Sequence, residues 1–287
     1  MTGFKYLIGV DELRPQLGQP TWRVLDCRFD LMQPATGRAE YVQGHISGAQ
    51  YANLDTDLAG PVSKWTGRHP LPSTTVFAQT LGDWGIDNAS QVVVYDHGSG
   101  VVAARLWWML KWVGHEQVAV LNGGYTAWQE AGFEVSDSTE FARRTKFRAV
   151  ADSDLFVTTD ELVQSFIADN VPLIVDARDS ARFAGKFEPI DTVAGHIPGA
   201  VNHPFSESID AKGGWKSRDQ LRDGWAPILG GDSDQSWVSM CGSGVTACHL
   251  ALSAGVAGLP QPRLYVGSWS EWIRDPDRPV ATAADLR

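Results

Sequence analysis

Only three cysteines, Cys27, Cys241 and Cys248, occur in the 287 residues, and no two share a Cys-x-x-Cys spacing. An odd, widely scattered set supports neither a disulfide framework nor a structural zinc site. It fits a reducing compartment in which a thiol stays free, so a cytoplasmic location without metal or cofactor is expected. Positive charge is also scarce: 24 Lys and Arg face 34 Asp and Glu, a net charge of −10. No basic stripe is available to neutralise phosphates, which argues against nucleic acid as a partner. Long apolar runs are missing too. The greasiest stretch, "ARLWWMLKWVG", is interrupted by Arg105 and Lys111, so no membrane span is expected. The opening "MTGFKYLIGVDEL" reaches acidic residues before any secretory apolar core develops.

The chain does contain a repeat. "VLDCR" (24–28) returns as "IVDAR" (174–178), and "YVQGHISGAQYAN" (41–53) as "TVAGHIPGAVNHP" (192–204). "VVVYDHGSGVVAARLWWML" (92–110) returns as "SWVSMCGSGVTACHLALSA" (236–254), and "LNGGYTAWQEAG" (121–132) as "YVGSWSEWIRDP" (265–276). Four echoes in one order, offset by 144 to 151 residues, predict two homologous domains. The expected boundaries are residues 1–138 and 154–287, with the polar segment 139–153 as linker. Within each half, short continuous apolar runs such as "VPLIVDAR" and "SWVSM" alternate with helical patterns such as "TTDELVQSFIAD". That alternation predicts an α/β fold in which each domain is a mostly parallel sheet flanked by helices. Parallel strands gather their C-terminal ends on one rim, where such folds place their chemistry.

Cys241 follows directly on the apolar run "SWVSM" and opens the loop "CGSGVTA". Gly242 and Gly244 allow a tight turn with N–H groups facing inward, a geometry that binds anions. Ser243 and Thr246 add hydroxyl donors, and a helix starting near Val245 adds the positive end of its dipole. Such a cradle stabilises a thiolate or an anionic persulfide. In the first half, Asp96 and His97 stand where the cysteine would be, so that half is expected to be catalytically inactive and to help build the cleft. Cys248, two helical turns beyond Cys241, and Cys27 read as core packing.

These motifs, "GHIxGA" in both halves with "LNGGYTAW", "CGSGVTA" and "YVGSWSEW", resemble the tandem rhodanese family of sulfurtransferases along essentially the whole chain. The loop is similar to that of 3-mercaptopyruvate sulfurtransferases, whose signature is CG-S/T-G-V-T. The resemblance implies two rhodanese-like domains. It also implies that Cys241 takes a sulfane sulfur from 3-mercaptopyruvate, carries it as a persulfide, and passes it to cyanide or a thiol such as thioredoxin. Thiosulfate as donor is the alternative. Arg182, in its "RF" context, matches the family's substrate-binding arginine, and its planar fork suits a carboxylate. Arg178 is expected to tie to an acidic neighbour. The family's second arginine near the "EP" segment is missing: Ile190 and Asp191 stand there, Asp191 being more similar to the thiosulfate enzymes, and Lys186 is the candidate substitute. Ser243 matches the hydroxyl of a relay for which His45 is the matching histidine, with Glu40 the nearest acid; equally, His45 and His196 can do one structural job in both domains. Arg68 and His69 of "TGRHPLPS" are candidates to line the entrance. Two rivals are disfavoured. A Cys-x5-Arg phosphatase would need an arginine where Ala247 stands, and degenerate interaction modules lose the cysteine or the glycines retained here.

Overall fold

The structure, a computed structural model, describes residues 3–139, 141–230 and 236–285. The chain forms two compact units, and a single cut does not separate them. One contains Met1–Gly60, Leu71–Asp152 and Ile209–Trp215; the other contains Pro61–Pro70, Ser153–Ser208 and Lys216–Arg287.

The first unit runs β1 (Leu7–Ile8), α1 (Val10–Leu13), β2 (Trp22–Asp26), α2 (Thr36–Gln43), β3 (His45–Ile46), β4 (Gln50–Tyr51), α3 (Thr74–Asp83), β5 (Gln91–Tyr95), α4 (Val101–Trp112), β6 (Val118–Leu121), α5 (Gly124–Glu130) and β7 (Val135–Ser136). Five of these strands form a parallel sheet in the order β1-β6-β5-β2-β4, and β3 pairs antiparallel with β7. The second unit runs β8 (Phe156–Val157), α6 (Thr159–Ile167), β9 (Leu173–Asp176), α7 (Ser180–Phe183), β10 (Val201–Asn202), α8 (Arg218–Leu229), β11 (Trp237–Met240), α9 (Thr246–Ala257), β12 (Arg263–Tyr265) and α10 (Ser268–Trp272). Its sheet is also parallel, ordered β10-β9-β11-β12-β8.

The α/β fold with parallel sheets follows from the pattern of apolar runs. Every residue of β5 and of β11 is buried, as a strand covered by helices on both faces requires. Each unit has its own core. Tyr95, Leu121 and Trp128 lie in the first, while Met240, Tyr265 and Trp269 lie in the second. Each such side chain contributes about 1.5 to 3 kcal/mol through burial. Helix α6 starts where the sequence signals it. Thr158 accepts the Glu161 N–H while the Glu161 carboxylate accepts the Thr158 N–H, a reciprocal cap. Helix α9 is buried almost all round, from Ala247 to Gly255, so the segment that starts beside Cys241 is anchored in the core of its unit.

Strand register fixes how the two halves correspond. Asp26 pairs with Tyr95 and Asp176 pairs with Met240, so Tyr95 is the counterpart of Met240 and Asp96 that of Cys241. Both strand-to-helix loops have five residues, 96–100 and 241–245. The Gly-Ser-Gly-Val frames that look aligned in the sequence are therefore displaced by one position in the structure.

A candidate active site on the Cys241 loop

Cys241 lies just past the C-terminal end of β11 and is buried, with 1% of its surface exposed. The loop is buckled to α10: the Trp269 N–H donates to the Cys241 carbonyl at 2.9 Å and the Ser270 N–H to the Gly242 carbonyl at 2.9 Å. The Cys241 N–H donates to Ser268 Oγ at 3.1 Å. The loop then turns back so that the Gly244 N–H points at Cys241 Sγ, 3.1 Å away. Gly244 has φ +79°, a left-handed conformation that glycine adopts without strain. Val245 follows as N-cap residue and half-buried Thr246 begins α9. A sulfur anion at Cys241 thus faces a backbone donor and a helix start.

The corresponding loop of the first unit shows what the cradle holds. Its Asp96, in the place of Cys241, accepts N–H bonds from Gly98 and Gly100 at 3.0 and 2.9 Å through one oxygen, and from Val102 and Ala103 at 3.0 and 3.3 Å through the other. The first unit therefore fills its own anion nest with a carboxylate. His97 turns away to pair with Glu40 at 2.7 Å.

Two guanidinium groups lie over the second unit's loop. A Cβ placed on Gly242 would stand 2.9 Å from Arg68 Nη2, which would have to shift, and 3.5 Å from Arg182 Nη2, an ordinary contact. Arg182 projects from the short helix α7, which Asp179 caps by accepting the Ala181 N–H. Its fork grips Glu188 at 2.7 to 3.1 Å, and its Nη2 also reaches Asp191 at 3.1 Å. Arg68 arrives on the segment Pro61–Pro70, held by N–H bonds from Gly67 to Glu271 at 3.0 Å and from Arg68 to Ser270 Oγ at 3.1 Å. Its guanidinium pairs with the other oxygen of Asp191. Burial pushes the Glu188 carboxyl up, but the Arg182 hydrogen bond and the Asp191 and Ile190 N–H groups outweigh it and leave the group below its usual range. Burial dominates at Asp191, whose carboxyl lies above its usual range despite Arg68 and Arg182.

His69 Nδ1 meets Ser243 Oγ at 2.8 Å, both residues being buried. This corrects the expected pairing, since the histidine beside Ser243 is His69 and not His45. His45 belongs to the first unit, where its Nδ1 bonds the Tyr41 carbonyl at 2.7 Å and its ring stacks on Tyr41. His196 repeats that arrangement against Phe183, also at 2.7 Å. The two "GHIxGA" histidines thus do one structural job twice. Glu40, the suggested acid for His45, serves His97 instead. Arg178 is likewise doubled. It binds Asp176 and the Gly195 carbonyl, each at 2.7 Å, as Arg28 binds Asp26 and the Gly44 carbonyl, each at 2.6 Å. In the second unit Arg178 also backs Glu188 at 3.5 Å and lies over the Trp269 ring. Lys186 is exposed and forms no ion pair among the described residues, so it does not replace the missing arginine. The second guanidinium comes from Arg68.

Cys27 is buried in the first unit and Cys248 at the start of α9. Burial, followed by the charges of Asp26, Asp96 and Asp57, pushes the Cys27 thiol far up, while Cys248 Sγ donates to the Gly244 carbonyl at 3.2 Å.

Both halves, residues 9–131 and 158–275, match the profile of the rhodanese-like domain. The chain belongs to the rhodanese family. Among its rhodanese relatives, a protein of Pseudomonas aeruginosa named "Probable 3-mercaptopyruvate sulfurtransferase" is 44% identical over 96% of this chain and 98% of its own. A thiosulfate sulfurtransferase of Gallus gallus is 34% identical over 88% and 86%. The solved structure of the 3-mercaptopyruvate sulfurtransferase SseA of Escherichia coli superposes with a TM-score of 0.81 at 30% identity, covering 93% of this chain and all of that one. No helix among the described residues of this rhodanese chain is long and apolar enough to cross a membrane.

Proposed function

We propose that this chain is a sulfurtransferase that takes sulfur from 3-mercaptopyruvate onto Cys241 and delivers it to cyanide or to a thiol such as thioredoxin. The Cys241 thiolate attacks the donor's sulfur, a sulfur–sulfur bond forms, and the carbon–sulfur bond breaks with its electron pair on the methylene carbon. That carbon takes a proton and leaves as the methyl group of pyruvate. The persulfide loses its proton and rests in the loop. An acceptor thiolate or cyanide then attacks the outer sulfur, and Cys241 departs as thiolate. Two half-reactions of this kind give ping-pong kinetics. Arg182 and Arg68 are assigned the donor's anionic end.

The observation that carries the choice of donor is the buried Ser243–His69 hydrogen bond of 2.8 Å beside the nucleophile. A carbon leaving group needs a proton as it departs, and a hydroxyl backed by imidazole can supply one. Sulfite, the leaving group from thiosulfate, is stable as an anion and needs none. The named relatives include proteins of both donor types, so the two donors are compared directly. In steady-state transfer to cyanide, kcat/KM for mercaptopyruvate is expected to exceed that for thiosulfate, with both abolished in Cys241→Ser. A higher kcat/KM for thiosulfate refutes the donor assignment, and an active Cys241→Ser protein refutes the mechanism.

A further inference from the structure

The charges around the loop form one alternating chain: Asp176, Arg178, Glu188, Arg182, Asp191, Arg68, each in contact with the next. Three carboxylates match three guanidiniums, so the two arginines over Gly242 carry no surplus positive charge. Among the described residues Asp191 alone spans both of them, one oxygen to each, with its side chain only 5% exposed. Arg68, Asp191, Thr192, Ser270 and Arg274 line an opening of about 330 Å³ that reaches the Arg68–Asp191 pair, with Arg182 outside its lining. Arg274 also lines this opening, with its Nε bonded to the Thr66 carbonyl at 3.2 Å. An anionic donor therefore finds the guanidinium pair occupied.

We propose that Asp191 is an internal occupant of the donor's anion site, a carboxylate that the donor's own anionic group must displace, and that it thereby selects against doubly charged donors. The Ile190 and Asp191 N–H groups are pinned by Glu188 Oε1 at 3.1 Å each, so the exchange is a side-chain rotation and the loop stays in place. Burial holds this carboxyl above its usual range, as expected for an anion that is incompletely compensated where it sits. Coulomb energy scales with ligand charge, so the residual field of Asp191 disfavours a dianion such as thiosulfate about twice as strongly, in free energy, as a monoanion such as mercaptopyruvate. The consequence for donor preference rests on the activity proposed above; occupancy of the anion site does not.

The test separates the two. Pyruvate and sulfate, unreactive monoanion and dianion, are titrated calorimetrically into Cys241→Ser and into Cys241→Ser carrying Asp191→Asn. The second substitution is expected to tighten pyruvate about fivefold and sulfate by about the square of that factor, some 25-fold. Unchanged or weaker binding in the folded variant overturns the proposal, and equal factors for the two anions overturn the charge selection. A crystal structure of Cys241→Ser with sulfate supplies a second measurement that leaves position 191 intact. Sulfate on the arginines with Asp191 detached from at least one of them is the expected result. Sulfate absent from them, or bound with both Asp191 contacts intact, overturns the proposal. If the wild-type protein turns over neither donor, the proposed activity falls while these binding results still decide the role of Asp191.

Discussion

Removing the Ser243 hydroxyl separates proton supply from every other part of the site. In Ser243→Ala the loop backbone, Cys241 and both arginines are untouched, and what disappears is the 2.8 Å bond to His69 Nδ1. Ser243 is 6% and His69 4% exposed, so losing a hydrogen bond in this dry site costs about 1 to 3 kcal/mol. The catalytic cost depends on the donor. Proton transfer from a positioned side chain is worth about 10² to 10⁴ in rate, so kcat for mercaptopyruvate should fall by at least about a hundredfold. Thiosulfate turnover should change by less than about threefold, since sulfite leaves unprotonated. Pyruvate release followed with lactate dehydrogenase, and thiocyanate formation followed with ferric ion, read the two donors on one protein. His69→Ala should have the same signature, and the double variant should be no worse than either single one, because the two groups act as a unit. Equal losses for both donors would refute the argument, since the pair would then serve the loop and not the proton.

Two glycine substitutions should divide differently between folding and binding. Gly244→Ala places a side chain at φ +79°, which costs about 1 to 2 kcal/mol and should lower Tm by several degrees while slowing persulfide formation. Gly242→Ala meets only the flexible end of Arg68, so Tm should hold while the KM for an anionic donor rises about tenfold through the displaced guanidinium. A folding penalty in Gly242→Ala larger than that in Gly244→Ala would contradict the described contacts. The Glu188 carboxyl has a folded pKa depressed from its ordinary 4.5, so it contributes stability above that value and loses it as pH falls through the folded one. Glu188→Gln should therefore lower Tm at about pH 7 and converge on wild type only as the pH falls below the depressed folded pKa; a penalty independent of pH would place its role in packing.

The division between what the sequence discloses and what it hides follows the range of the interactions. The strand "SWVSM", the glycine turn and the helix after it are set by local periodicity and turn chemistry, so the loop and its nucleophile can be read directly. Arg178 pairs with Asp176 only two residues away, and Arg182 with Glu188 six residues away, which keeps both contacts within reach of pattern reasoning. His69 and Ser243 are 174 residues apart, and Arg68 and Asp191 are 123 apart. No local rule carries such pairs. The resemblance alone suggests His45 beside Ser243, while the occurrence of "GHIxGA" in both halves already argues for a structural role, and "GRHP" in a connecting segment discloses only a candidate entrance. The membership of Pro61–Pro70 in the second unit is hidden for the same reason: composition marks a loop but not the core it joins.

The one-residue displacement between the two loops gives the Asp96 loop a chemical meaning. Aspartate and a cysteine persulfide have the same number of heavy-atom bonds from Cα to the charged end: Cβ, Cγ and Oδ in one, Cβ, Sγ and outer sulfur in the other. With Asp96 in the place of Cys241, its oxygens therefore occupy the position of a persulfide's outer sulfur. Their donors are the N–H groups of Gly98, Gly100, Val102 and Ala103. The same register points, in the second unit, to the N–H groups of Ser243, Val245 and Ala247, while the Cys248 N–H is already given to the Val245 carbonyl at 3.1 Å. The Gly244 N–H already faces Sγ itself. Backbone donors at a helix start need no counter-cation to hold a single negative charge. The guanidinium pair over Gly242, which Asp191 bridges, lies on segments outside the loop, so a persulfide's charge and a donor's carboxylate would be met by separate groups.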